Sequence, residues 1–364
     1  MILNIVVAFL ISSLVLAALF PLAPVIGLMD HPGERRKVHR HSVPPIGGIA
    51  IFSGLVASTL LALPLTAPQL YGMAGAALLV LVGAVDDRFG LGPRVRLVAQ
   101  VVAALLLSVG GGVTLTSLGD VLGFGPIDLG VFSVPFTLFA MVGIINAVNM
   151  IDGIDGLAGG LILIALASLL LLAPEIGPIQ ILLLATIAAL IPYLICNLEL
   201  FGVTGRKIFL GDAGSLLLGY ILVWALVDAA AGPSRSIDAV TALWLVAIPL
   251  MDTLRVIGRR ILHGVSPFSA DAGHLHHFLS RICRSTRKAL ILMLGAAILL
   301  TGIGIFGFLN QFGEADMFYS ALSIFVAYLL IAHYAHSLSR ILEQQYSLSE
   351  ALEQPSRQIV DEAA

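Results

Sequence analysis

The sequence predicts an all-α fold, a polytopic membrane bundle of about eleven transmembrane helices. The N-terminus is expected outside and the C-terminus in the cytoplasm. Three observations carry this reading. Of 364 residues, 59% are hydrophobic and 11% charged, with a mean hydropathy of +1.02, whereas a soluble domain carries about 25% charged residues. The apolar residues gather into runs near the length, about 20 residues, that a helix needs to cross a bilayer. The cations are segregated to alternate loops.

The runs fall near 2–24, 43–65, 68–85, 95–114, 130–148, 157–173, 177–197, 213–231, 237–256, 289–309 and 317–336. None alternates with period two over barrel-length segments, which favours helices over a β-barrel. The first run has no basic stretch before it and no small-residue cleavage site after it, so it reads as a retained span. Orientation follows from charge. Arg35, Arg36, Lys37 and Arg40 follow the first span, Arg88, Arg94 and Arg96 the third, and Arg206 and Lys207 the seventh. Arg255, Arg259, Arg260, Arg281, Arg284, Arg287 and Lys288 follow the ninth, and Arg340 and Arg357 lie in the tail. The opposite side receives only Arg235 and carries acids instead, Asp120, Asp128, Glu175, Asp228, Asp238, Glu314 and Asp316. Basic loops stay in the cytoplasm, so the net charge of −3 hides a basic inner face suited to anionic lipids or substrates. Two lone cysteines, Cys196 and Cys283, make no disulfide framework. The organisation expected is one transmembrane domain over 1–337 and a polar cytoplasmic tail over 338–364.

The chemistry is written in five segments on that inner face. The first, Asp30 to Gly48, packs Lys37 and His39 among arginines before a span. It reads either as a topogenic loop or as a phosphate-binding cluster. The second holds the pair Asp86-Asp87, followed by Arg94 and Arg96. Paired carboxylates repel one another and are tolerated beside a divalent cation, cationic partners or water. In the third, Asn146, Asn149, Asp152 and Asp155 recur every three residues, with Gly153 and Gly156 breaking or tightening the helix. Amide and carboxylate oxygens are what hard Mg²⁺ or Mn²⁺ prefers, and such groups beside apolar spans are costly unless used. The fourth runs Lys207, Phe209, Gly211, Asp212, Gly214 and Ser215, where Asp212 is either a helix N-cap or a metal ligand. The fifth carries His274, His276 and His277, either solvated loop histidines or a grip on an anionic donor. Together they join carboxylates that can hold a divalent ion with cations that can hold phosphate, the requirements of phosphoryl transfer. Chemistry at this depth implies a lipid substrate. A transporter of an anionic solute is the rival, but it would place ionisable groups nearer mid-bilayer.

These motifs, in this order, resemble the polyprenyl-phosphate N-acetylhexosamine-1-phosphate transferases, the glycosyltransferase 4 or MraY-like family that includes the WecA and TagO types. The resemblance runs from Arg36-Lys37-Val38-His39 to His277. It implies that a polyprenyl phosphate, expected to be undecaprenyl phosphate, attacks the β-phosphorus of a UDP-sugar with release of UMP, using Mg²⁺ or Mn²⁺. Such a step initiates cell-envelope polysaccharides such as O antigen, at the bacterial inner membrane with the site on the cytoplasmic face. By matching position, Asn149 and Asp212 would be metal ligands. Asp86 and Asp87 would orient or deprotonate the lipid phosphate, and Asp152 would act between these groups. Asp155 and Phe209 look like a uracil-recognition pair, while Lys37, His39, Arg94 and Arg96 would bind phosphates. Asn146 and the histidines His274, His276 and His277 complete the substrate-binding set. The histidine segment looks like the WecA and TagO form, which implies UDP-GlcNAc as donor rather than UDP-MurNAc-pentapeptide or another UDP-N-acetylhexosamine. One departure is Gly90, where WecA-type loops have a third acid. The implied partners are the lipid and the UDP-sugar, with no nucleic acid, and a homodimer would resemble relatives.

Overall fold

The computed structural model describes residues 1–31, 42–61, 63–172, 177–232, 236–266 and 273–334. Lys37, His39 and the 338–364 tail lie outside the described residues. Every expected run has become helix. In order these are α1 (Ile2–Leu22), α2 (Gly47–Leu60), α3 (Ala67–Phe89), α4 (Pro93–Gly110), α5 (Gly130–Ile151) and α6 (Leu157–Leu172). Then come α7 (Pro178–Asn197), α8 (Gly211–Ala231), α9 (Ala239–Leu245) and α10 (Ala247–Leu262). α11 (Leu275–Ile282), α12 (Thr286–Leu309) and α13 (Glu314–Tyr334) follow. Among the described residues there is no β-strand beyond isolated bridges.

Eight of these helices, α1, α3, α4, α5, α7, α8, α12 and α13, are long and apolar enough to cross a membrane. The protein is a multi-pass membrane protein. Three runs expected as full spans differ. α2 has 14 residues and α6 has 16, shorter than an ordinary crossing. The run over 237–256 is split into α9 and α10, bent by 81°. Pro249 explains the split: it has no N–H to donate, and its ring would collide with the carbonyl of Leu245, so the helix stops there and restarts with the proline in its first turn.

Two compact units divide the chain, Met1–Met317 and Phe318–Ala364. The described part of the second is the remainder of α13. In the first, α8 is the central helix. Every residue from Ala213 to Val227 is buried, as expected of a helix that is apolar all round. It packs against α2, α3, α5 and α6, while α1 packs on α2 and α7. The crossings at the start of α8 depend on glycine. A Cβ on Gly48 would lie 2.1 Å from the Gly214 nitrogen, and one on Gly83 would lie 2.4 Å from the Ala213 Cα. Between helices in lipid, such bare backbone contacts supply much of the packing. They also bring the last turn of α3 against the first turn of α8, which is where the acids are.

Candidate active site

α3 ends at Phe89 because Gly90 adopts the left-handed conformation, and α4 restarts at Pro93 after a short turn. The adjacent acids on the last turn of α3 therefore serve different neighbours. Asp87 faces α8, where its carboxylate accepts from the backbone N–H groups of Asp212 at 2.7 Å and Ala213 at 3.2 Å. A carboxylate at a helix N-terminus meets both unpaired donors and the positive end of the helix dipole. Asp86 accepts from the Leu91 N–H and lies 2.9 Å from the Arg96 guanidinium. The same Arg96 nitrogen reaches Asp212 at 3.3 Å. The other Asp212 oxygen accepts from the Asn149 amide, which also donates to the Ser215 hydroxyl at 2.8 Å. Four helices thus place three carboxylates, one guanidinium and one amide in a single network.

α5 stops at Ile151, and the polar stripe continues as the turn Asp152–Gly156. Burial raises the Asp152 carboxyl to a pKa of about 7, and the negative charges of Asp212 and Asp155 add to the effect. Asp155 pairs with the Lys207 ammonium at 2.5 Å, and the same ammonium lies 5.7 Å from the centre of the Phe209 ring. The expected uracil pair therefore flanks one cation. Asn197, buried at the end of α7, ties the two segments together by accepting from the Gly156 N–H at 2.7 Å and donating to the Ile208 carbonyl at 2.9 Å. Phe209 and Leu210 are in turn pinned to the start of α2, where Gly47 and Gly48 donate to their carbonyls, each at 3.0 Å.

The histidine segment approaches from the α10–α11 corner. His274 bonds to Asp252 at 2.8 Å. His276 is 1% exposed. Burial, with His277 and His274 close by, holds its imidazole down to a pKa of about 3, so it is neutral at physiological pH.

The chain resembles known proteins along most of its length. Residues 69–230 match the model of glycosyl transferase family 4. A protein of Yersinia pestis named undecaprenyl-phosphate alpha-N-acetylglucosaminyl 1-phosphate transferase is 39% identical over 301 residues, 82% of each chain. The protein of that name in Escherichia coli strain K12 is 37% identical over 309 residues, covering 84% of this chain and 83% of its own. The Haemophilus influenzae protein of the same name is 36% identical over 341 residues, covering 93% of this chain and 96% of its own.

The chain belongs to glycosyl transferase family 4.

For this glycosyl transferase family 4 chain, the structure gathers Asp86, Asp87, Arg96, Asn149 and Asp212 into the network described above. Asp152 follows α5 nearby, and Asp155 and Phe209 share Lys207. Two expected substrate ligands have other surroundings. Arg94 is exposed and joins none of these contacts. Asn146 donates to Gln100 at 2.6 Å and to the Val142 carbonyl at 2.8 Å, a clamp between α4 and α5. The alternative reading of Asp212 as a cap is also revised, because Asp87 is the group that caps α8. The sequence reading assigned no role to Lys207 or Ser215, although both stand in its fourth segment, nor to Asn197 or Asp252. The signal was present for Asp252, an ionisable residue in an apolar run, but Asn197 and Ser215 look like ordinary helix-end residues. Cys196 and Cys283 are both free.

Proposed function

We propose that this protein transfers GlcNAc-1-phosphate from UDP-GlcNAc to undecaprenyl phosphate at the cytoplasmic face of the bacterial inner membrane. The observation that carries the reading is the network at the start of α8, where the Arg96 guanidinium joins Asp86 to Asp212 and Asp87 holds the backbone N–H of Asp212. The name shared by its relatives supports the lipid acceptor and the sugar. The basic loops around the site support the orientation, and the product would initiate an envelope polysaccharide.

An oxygen of the lipid phosphate attacks the β-phosphorus of the donor, and the bond from that phosphorus to the oxygen bridging the two phosphates breaks. UMP leaves with those electrons, and the sugar phosphate remains on the lipid. The chain's own groups favour direct attack. An aspartyl intermediate would require Asp87 to abandon two backbone donors, or Asp86 to leave Arg96. Asp152, with a pKa of about 7, is suited to hold or release a proton at the phosphates near neutral pH. Lys207 lies where it can meet the donor while Phe209 offers a face for the base.

The donor set fits Mg²⁺ or Mn²⁺. Asp212 and Asn149 touch one another and offer oxygen atoms, and among the described residues no cluster of three or more acids, histidines or cysteines forms a closed cage. Mg²⁺ is ordinarily held by one or two carboxylates together with substrate phosphates and water. Asp212 and Asn149 would hold the ion, which supplies charge stabilisation to the leaving diphosphate oxygen. A homodimer is the assembly proposed by analogy with relatives.

The test uses purified protein in detergent with undecaprenyl phosphate, Mg²⁺ and labelled UDP-GlcNAc, with UDP-GalNAc and UDP-MurNAc-pentapeptide in parallel. Lipid-linked label and UMP from UDP-GlcNAc alone are expected. Label from another donor alone would keep the mechanism and overturn the sugar. No transfer by folded protein from any donor would overturn both.

A further inference from the structure

The corner between α10 and α11 holds a buried carboxylate that no step of the transfer uses. Asp252 is 1% exposed. One of its oxygens meets His274 Nδ1 at 2.8 Å, and the other accepts from the Leu275 N–H and the Arg255 guanidinium, both at 3.0 Å. Arg255 also donates to the Gly273 carbonyl. Three consecutive residues, Gly273, His274 and Leu275, are thereby tied to α10. Leu275 is the first residue of α11, whose N-cap, His274, makes no side-chain cap of its own. Asp252 supplies that cap from another helix.

The consequence appears one turn further on. His276 stacks on His274, with ring centres 5.6 Å apart and planes 11° apart, and lies 4.2 Å from the His277 ring. It presses against the turn after α5 so closely that a Cβ on Gly153 would stand 2.0 Å from His276 Nε2. Neither of its buried ring nitrogens has a hydrogen-bond partner. Its place against the Asp152–Gly153 turn therefore comes from packing and from the register of α11, and that register is fixed at Asp252.

We propose that Asp252 is a positioning residue that sets where the α11 histidines meet the Asp152–Gly153 turn, and through them how the donor is held. The second half rests on the reading that these histidines face the UDP-sugar. The first half does not. A charged carboxylate accepting from a histidine, an arginine and a backbone N–H is a strong anchor because each bond is charge-assisted and shielded from water. Asn in its place keeps the size and one acceptor oxygen but loses the charge.

The test compares wild type with Asp252→Asn in detergent by two readouts. The first is carbethoxylation of His276 by diethyl pyrocarbonate, located by mass spectrometry, and needs no substrate. His276 is protected in wild type and is expected to react at least about tenfold faster in the variant, as loss of a charge-assisted bond implies. The second is steady-state transfer. KM for UDP-GlcNAc is expected to rise at least about tenfold on the same grounds, with KM for undecaprenyl phosphate unchanged. On a His276→Ala background, Asp252→Asn should then add less than about twofold, because the two act as one unit. A purely structural role would lower kcat through a smaller folded fraction and leave both KM values alone. Unchanged labelling of His276 in folded Asp252→Asn protein would overturn the proposal, as would losses that multiply fully in the double variant. If Asp252→Asn does not fold, Arg255→Gln removes one donor and the tie to Gly273, and the same readouts decide. Faster labelling without a change in donor KM would keep the anchor and overturn the donor-facing reading of the histidines.

Discussion

Two corners of this protein use the same device for different ends. At the start of α8, Asp87 reaches across from α3 to cap the helix. At the start of α11, Asp252 does so from α10. The difference lies in the surrounding charge. Asp252 has the Arg255 guanidinium as its counter-charge and is also bonded to His274. Asp87 sits beside Asp86 and Asp212, with one guanidinium bridging the latter pair. Like charges at such spacing raise one another's energy, and the surplus of negative charge is what a cation-bearing phosphate substrate would relieve. One corner is built for position and the other for chemistry.

The comparison is tested most sharply at Asp212. Replacing it by Asn removes the proposed metal carboxylate, and transfer should fall about a thousandfold, the upper end of the range for losing one preorganised electrostatic group. UMP release measures it. A residual rate above about a tenth would place the chemistry elsewhere. Next in size is Arg96→Ala, which leaves Asp86 and Asp212 facing each other without their shared partner. A fall of about a hundredfold in kcat/KM is expected, from the loss of charge-assisted bonds worth about 1.5–3 kcal/mol. Arg96→Lys should recover only part, since a point charge cannot reproduce the planar guanidinium. Asp87→Ala should cost about 1–2 kcal/mol of stability, the usual range for a lost helix cap, seen as a lower midpoint of thermal unfolding. Asp86→Ala, which removes no cap, should shift that midpoint less.

The last expected effect concerns the pH dependence of stability, at Asp152. With a folded pKa near 7 and an ordinary unfolded one, the folded state keeps a proton that the unfolded state has released. Stability from this group is therefore fully present at acid pH and lost as pH rises through about 7. Asp152→Asn should flatten that part of the stability profile of metal-free protein. An unchanged slope would mean that another group carries it.

Much of this was legible in the sequence. The apolar runs became helices because away from water a backbone must satisfy its own hydrogen bonds, and the Asp86-Asp87, Asn149–Asp155 and Asp212 segments stand out because such groups are costly beside a span. What could not be read was partnership. Asp87 and the α8 backbone are separated by more than a hundred positions, and their meeting depends on Gly48 and Gly83 permitting backbone contact. Lys207 looked like a topogenic charge until Asp155 and Phe209 came to either side of it. At Asn146 the spacing places the residue in the polar stripe, and the structure adds a partner that spacing does not show, since its amide is engaged by Gln100. The split of the ninth run was foreshadowed by Pro249, though hydropathy alone reads through it.

The most direct test of the central claim, that the start of α8 holds the catalytic cation, is a Mn²⁺ titration followed by electron paramagnetic resonance with and without UDP-GlcNAc. Wild-type protein should bind one Mn²⁺ per chain, more tightly with the donor present, and Asp212→Asn should lose that site while Asp252→Asn retains it. Equal Mn²⁺ binding by wild type and Asp212→Asn would contradict the account.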